Sequence, residues 1–259
     1  MTAPLLEVSD LVVRFGDKDA VRGVSFAMGR ERLGIVGESG SGKSLTGRAI
    51  LRLLPPDATL QATRLAFAGI DLLAAGEREI RALRGRRIAL VLQDPKFSLN
   101  PVMSVGRQIA EAYRVHGRAS VREAREQTLA MLEAVRIREP RRVHDLYPHE
   151  ISGGMGQRVM IAMMLAGDPD LLIADEPTSA LDVTVQAQVL AVLDEQVSRR
   201  DMGLILISHD LDLVASFCDR VLVMERGAIV ESCAAAALDQ AQHPYTRRLL
   251  AARPRLAAS

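Results

Sequence analysis

Short, uninterrupted apolar runs recur along the chain, and each one ends at polar or glycine-rich residues. Five such runs are residues 33–36, 88–92, 171–174, 204–207 and 221–224. Continuous apolar runs of this length are typical of strands that are buried on both faces. Residues 5–14 and 20–28 alternate more loosely around a turn at residues 16–19, which predicts a hairpin. The pattern therefore predicts an α/β core with an antiparallel β region.

Other segments have a helical pattern. Residues 105–135 are rich in Arg, Glu and Ala and contain no strand-like run. Residues 159–165 are strongly apolar and follow a pair of glycines at residues 153 and 154. Residues 228–231 complete a second hairpin with the run at 221–224, and residues 243–250 are a candidate for a short helix. We expect an α-helical subdomain to interrupt the α/β core.

These elements suggest one domain with three parts. The boundaries that we expect are an α/β and β core of residues 1–95 and 168–235, a helical insertion of residues 96–167, and a short tail of residues 236–259. A chain of 259 residues is long enough to bury a sizeable core.

Composition narrows the function classes. The chain is 48% hydrophobic and 25% charged, which is typical of a globular protein. Its formal net charge of +1 gives no general argument for nucleic acid binding. The two cysteines, Cys218 and Cys233, lack the spacing of a metal site and favour a reducing compartment. The N-terminus does not resemble a secretory signal, and residues 159–167 are too short to span a bilayer, so we expect any membrane role to come through a partner.

The strongest motif follows the apolar run at residues 33–36. Residues 37–44, hereafter the phosphate loop, fit the pattern GxxxxGK[ST] at every fixed position. The loop comprises Gly37, Glu38, Ser39, Gly40, Ser41, Gly42, Lys43 and Ser44. Backbone N–H groups of such a loop converge on phosphates at the start of a helix, which we expect to open at Lys43. Lys43 should reach the β- and γ-phosphates of a nucleoside triphosphate, and Ser44 should ligate Mg²⁺. The alternative is a glycine-rich turn followed by Lys-Ser by chance.

Polar side chains end three other apolar runs, and in an open α/β sheet ligands collect at the carboxyl ends of the strands. Asp175 is suited to Mg²⁺, and Glu176, which strand alternation would direct to the opposite face, is suited to polarising the attacking water. Gln93 could reach the metal or that water, and the alternative is a loop glutamine bonded to its own backbone. His209 could contact a γ-phosphate or water, although a lone histidine is often structural.

A second possible phosphate site lies at Ser152, Gly153 and Gly154, where Ser152 is a reasonable N-cap for the helix that follows. An ordinary capped helix would have a similar sequence. Phe15 is the aromatic candidate for stacking on an adenine ring, and the alternative is a core position.

Taken in order, these motifs resemble the ATP-binding subunit of an ABC transporter. The matching elements are Phe15 as the A-loop aromatic, the phosphate loop, Gln93 of the Q-loop, residues 152–154 of the signature, Asp175 and Glu176, residues 179–182 of the D-loop with Asp182, and His209 of the switch. The resemblance implies a P-loop NTPase core, ATP and Mg²⁺ as cofactors, and Asp182 as a nucleotide-binding residue. It implies two subunits that close head to tail, so that Ser152, Gly153 and Gly154 cap the nucleotide of the other chain. It also implies two transmembrane permease subunits, an extracytoplasmic binding protein, and a peripheral position on the cytoplasmic face of the inner membrane.

Finer matches are similar to the peptide and nickel import branch of that family. They are Gln93-Asp94-Pro95 with residues 98–101, residues 152–155, residues 182–188 and residues 243–246. Peptide import is the leading expectation, nickel or metal-chelate import is the alternative, and a soluble ABC ATPase that acts on DNA or ribosomes is a third class. Gly156 departs from the family pattern, which has a long side chain there, and glycine weakens a helix by roughly 1 kcal/mol relative to alanine.

Overall fold

A computed structural model describes residues 3–94, 98–117, 119–179 and 181–253. The strands are β1 (Leu6–Phe15), β2 (Lys18–Met28), β3 (Arg32–Val36), β4 (Ala58–Gln61), β5 (Arg64–Phe67), β6 (Ile70–Asp71), β7 (Ile88–Val91), β8 (Leu171–Asp175), β9 (Gly203–Ser208), β10 (Arg220–Glu225) and β11 (Ala228–Ala234). The helices are α1 (Lys43–Ile50), α2 (Glu77–Leu83), α3 (Val105–Gly117), α4 (Val121–Ala134), α5 (Pro140–Asp145), α6 (Gly153–Leu165), α7 (Val183–Arg200), α8 (Leu211–Phe217) and α9 (Pro244–Ala251). Pro95 of the Q-loop match, Ala180 of the D-loop match and the end of the tail lie outside the described residues.

The chain divides into two compact units. The first unit comprises Met1–Ile80 and Gly203–Ser259, and the second comprises Arg81–Met202. In the part of the chain that the structure describes, no helix is both long and apolar enough to cross a bilayer.

Two groups of strands build the first unit. An antiparallel sheet has the order β2-β1-β5-β6, with β4 also paired to β1, and it includes the N-terminal hairpin that the alternation predicts. The second group has the order β11-β10-β3-β9, in which β10, β3 and β9 run parallel. Apolar side chains of β3 and β9 are completely buried, as continuous apolar runs predict. Because the three strands are parallel, their carboxyl ends lie on the same side, and the residues that follow β3, β9 and β10 leave the sheet there.

The second unit is mainly helical around one strand pair. Strands β7 and β8 pair in parallel, with Val91 opposite Ala174. Gln93, just after β7, and Asp175, the last residue of β8, therefore lie at the carboxyl ends of neighbouring strands. The predicted helical region contains α3 and α4, and α4 begins with a capping box between Ser120 and Glu123. Helix α6 runs continuously through the buried Gly156, so this glycine does not interrupt it.

Both cysteines are in the first unit, and both are free thiols. Burial raises the pKa of Cys218 to about 12, which leaves almost no reactive thiolate at neutral pH. A structural apolar role suits Cys218.

Candidate functional site

The phosphate loop joins β3 to α1 in the first unit, and its backbone admits only glycine at key positions. Gly37 has φ 153° and Gly42, the N-cap of α1, has φ 99°. A Cβ atom on Gly37 would lie 2.2 Å from the carbonyl oxygen of Met224, and one on Gly42 would lie 2.9 Å from that of Ala20. The loop is therefore packed closely against neighbouring backbone.

Several polar groups of the loop are arranged to bind an anion. Helix α1 begins at Lys43, as the motif predicts, and no side chain caps its N-terminus. The Ser41 hydroxyl is buried without a hydrogen-bond partner. An uncapped helix N-terminus and an unsatisfied buried hydroxyl both favour an anion with several acceptor oxygens. The residues of the loop therefore fit a nucleotide phosphate.

Lys43 is buried, and its ammonium lies inside the loop. Its Nζ donates to the carbonyl oxygens of Gly37, at 2.7 Å, and Glu38, at 2.9 Å. A buried ammonium is tolerated only where acceptors or opposite charge surround it. The side chain is thus already held where phosphate oxygens would meet the helix.

Two other predicted residues lie in the first unit. His209 directly follows β9 and is exposed, and the last residue of that strand, Ser208, pairs with Val36 immediately before the loop. Phe15 ends β1 and is only half-buried, so the first unit does not enclose it as a core residue. His209 therefore lies at the carboxyl end of β9, beside the end of β3 from which the phosphate loop begins.

In the second unit, Asp175 and Glu176 have different backbone environments. Asp175 is the last residue of β8 and is buried, whereas Glu176 lies beyond the strand with φ 48°. The alternation argument therefore does not extend to Glu176, because the strand ends one residue earlier. A left-handed backbone costs a non-glycine residue about 1 kcal/mol or more, and such strain concentrates at functional sites. The Glu176 carbonyl oxygen accepts hydrogen bonds from the backbone N–H and hydroxyl of Ser179, which stabilise this turn.

Ser152 is the N-cap of α6, as predicted, and its hydroxyl accepts from the backbone N–H of Met155. Helix α6 begins at Gly153, earlier than its apolar stretch suggests. Gln93, Ser152 and Gly153 line one cavity of about 180 Å³ in the second unit, together with Gly156. Asp182 caps α7 through the N–H of Val185. The second unit thus brings the Q-loop glutamine and the start of the signature helix together.

We expect Gly154→Ala to destabilise the second unit. A Cβ at Gly154 would lie 2.2 Å from Val185 Cγ1, so either the Val185 side chain or the two helices would have to shift, at about 1–3 kcal/mol. Gly153→Ala is the matched control, because its Cβ would meet Leu181 at 3.7 Å, an ordinary contact. Chemical denaturation of both variants is the measurement, and equal stabilities would contradict the close approach of the two helices.

No group of three or more His, Cys, Asp or Glu side chains within the described ranges could hold a metal ion by itself. Mg²⁺ in nucleotide sites is held by a few protein oxygens and by substrate phosphates, so a dedicated cage is not needed.

A glycine loop between a buried parallel strand and an uncapped helix defines a P-loop nucleotide-binding fold. The family model described as ABC transporter matches residues 21–179, more than half of the chain. The chain belongs to the ABC transporter family, as one of its ATP-binding, ATP-hydrolysing subunits.

Individual relatives agree with this assignment. The chain is 51% identical over 253 residues to the probable peptide ABC transporter ATP-binding protein y4tR of Sinorhizobium fredii, covering 95% of this chain and 76% of that one. It is 46% identical over 265 residues to the oligopeptide transport ATP-binding protein OppD of Bacillus subtilis, covering 98% and 73%. Among solved structures, cbiO1 from Clostridium perfringens, part of the ABC transporter complex cbiONQ, aligns with a TM-score of 0.80 at 26% identity over 92% of each chain.

Proposed function

We propose that this chain supplies the energy for import of di- or oligopeptides through a membrane channel. Its partners are two permease subunits, a second ATPase subunit and an extracytoplasmic binding protein, and it works at the cytoplasmic face of the inner membrane. The phosphate loop, with its uncapped helix and buried Lys43, supports the ATP-binding part of this proposal. The names of relatives at about half identity support peptides as the cargo.

The residues that would bind ATP fall into two sets. Lys43, Ser41 and the loop amides contact the phosphates, and Phe15 stacks on the adenine ring. Ser152, Gly153 and Gly154, at the capped start of α6, contact the nucleotide of the second ATPase subunit, and Asp182 is a further nucleotide-binding residue.

The chemical step needs a cation, a base and a polar contact. Mg²⁺, when bound with ATP, neutralises charge on the β- and γ-phosphates, and Ser44, Gln93 and Asp175 carry oxygen donors of the kind it prefers. Glu176 accepts the proton of the attacking water, and His209 donates to the γ-phosphate or orients the water.

Reconstitution tests the cargo. The chain is placed in proteoliposomes with its permease partners, and ATP hydrolysis and uptake are measured with the binding protein loaded with a di- or oligopeptide, with Ni²⁺, or with neither. We expect ATP hydrolysis to be stimulated, and the cargo to be taken up, when the binding protein carries peptide and not when it carries Ni²⁺ or nothing. Stimulation by Ni²⁺ alone would replace peptide with metal as the cargo, and hydrolysis indifferent to the permease and to both ligands would favour a soluble ABC ATPase.

A further inference from the structure

Helix α9 contacts the phosphate loop through one side chain. The backbone N–H of Glu38 donates to the hydroxyl of Tyr245 at 2.9 Å, across 207 positions of sequence. Tyr245 is only 3% exposed, and it lies in the first turn of α9. We propose that Tyr245 is a positioning residue that fixes the first half of the phosphate loop for ATP. This inference rests on the role of the loop as the ATP site.

Tyr245 is itself held firmly. His243 caps α9 by accepting from the Tyr245 N–H, and the backbone N–H groups of Gln242 and His243 both donate to Glu231 on β11. Thr246, the next residue, is completely buried. Burial raises the pKa of Tyr245, so its hydroxyl stays neutral at physiological pH. The phenol therefore has a fixed position relative to β11.

Arg248 adds a weaker contact. Its guanidinium lies over the Tyr245 ring at 5.7 Å and pairs with Glu225 at the end of β10. Because the Arg248 side chain is 70% exposed, this ion pair contributes little by itself. Burial of Tyr245 and Thr246 is therefore the main anchor of the helix.

The second half of the loop is held from the same side. The backbone N–H of Gly227, in the turn between β10 and β11, donates to the carbonyl oxygen of Ser41 at 2.9 Å. Glu38 and Ser41 are thus fixed at two points by the β10–β11 hairpin and the helix docked on it. Between these points, Ser39 and Gly40 are exposed, so packing does not hold them. The bond of Tyr245 to Glu38 therefore limits the motion of residues 38–40.

A loop already fixed in its binding conformation loses less entropy when the ligand arrives, and affinity rises accordingly. The hydroxyl of Tyr245 bonds to the loop backbone at Glu38 and makes no proposed contact with the nucleotide, so its effect should be on binding and not on the chemical step. A cavity of about 190 Å³, lined by loop residues, Tyr245 and Arg248, lets water reach the Glu38 N–H when the hydroxyl is removed. The expected loss is therefore moderate.

The test is Tyr245→Phe in the full chain, which keeps the ring and removes the acceptor. We expect Kd and KM for MgATP to rise roughly two- to tenfold, the effect of one net hydrogen bond, with kcat nearly unchanged. Amide hydrogen exchange should become faster at Glu38 and its loop neighbours, and remain unchanged elsewhere in the first unit. Tyr113→Phe, in α3 of the second unit, is the matched control and should behave as wild type.

These measurements distinguish a failure of the positioning role of Tyr245 from a failure of the proposed ATP site. If wild type binds MgATP and Tyr245→Phe has the same Kd and KM, the positioning role is wrong while the ATP site stands. Faster exchange throughout the first unit, in place of a local change, would mean that Tyr245 only stabilises the fold and would also overturn the inference. If wild type itself fails to bind nucleotide, the proposed ATP site fails first.

Discussion

Glu176→Gln should lower steady-state ATP hydrolysis by roughly 10²-fold or more while nucleotide binding survives. The substitution keeps the size of the side chain and removes the charge that would accept the proton from water. The left-handed backbone at Glu176 fixes the direction in which this side chain leaves the strand end, and glutamine inherits it. Phosphate release and equilibrium nucleotide titration are the measurements.

Glu111→Gln, at an exposed position of α3, is the matched control and should hydrolyse ATP normally. Because ATP persists in the Glu176 variant, light scattering should detect an ATP-dependent dimer in which Lys43 of one chain and Ser152 of the other contact one nucleotide. Hydrolysis at the wild-type rate would contradict the role of Glu176 as the base. An inactive variant that stays monomeric, yet dimerises when the permease proteins are added, would place the requirement for assembly in the membrane partners.

Lys43→Ala should weaken MgATP binding by at least roughly tenfold and abolish detectable turnover. Each charge-assisted hydrogen bond to phosphate is worth about 1.5–3 kcal/mol, and the ammonium is positioned for this contact inside the loop. Isothermal titration and phosphate release measure both effects.

Arg122→Ala on the surface of α4 removes a cation that forms an exposed ion pair with Glu126, so it controls for net charge. Near-normal binding and turnover in Lys43→Ala would remove this lysine from the nucleotide site.

Local sequence signals predicted much of the site. The start of α1 at Lys43 and the cap at Ser152 follow from residue types within a few positions, because glycine conformations and capping hydrogen bonds are local. The buried strands were equally predictable, since a short continuous apolar run between turn residues favours a strand covered on both faces. The apolar residues Leu51 and Leu54 continue the helical pattern of α1, but the helix ends at Ile50, and the backbone N–H groups of Arg52 and Leu53 donate back to it in a turn.

Other features could not be predicted from local patterns. Helix α7 begins with exposed Val183 and Thr184, and most of its buried positions come in its second half, so the apolar pattern at its start does not indicate a helix. Its signal was the Asp182 cap, which is the residue type that starts a helix. The left-handed backbone of Glu176 and the bond from Glu38 to Tyr245 depend on tertiary structure, and no spacing in the sequence encodes them.

Hydrogen–deuterium exchange of the purified wild-type chain, with and without MgATP, tests the central claim most directly. ATP bound at the phosphate loop should slow amide exchange within residues 39–45, where loop N–H groups and the first turn of α1 would donate to phosphate oxygens, whereas the Glu38 amide already donates to Tyr245. Lys43→Ala should lose that protection under the same conditions. Unchanged exchange at residues 39–45 at saturating MgATP, or protection confined to other segments, would contradict the claim that this loop holds the nucleotide.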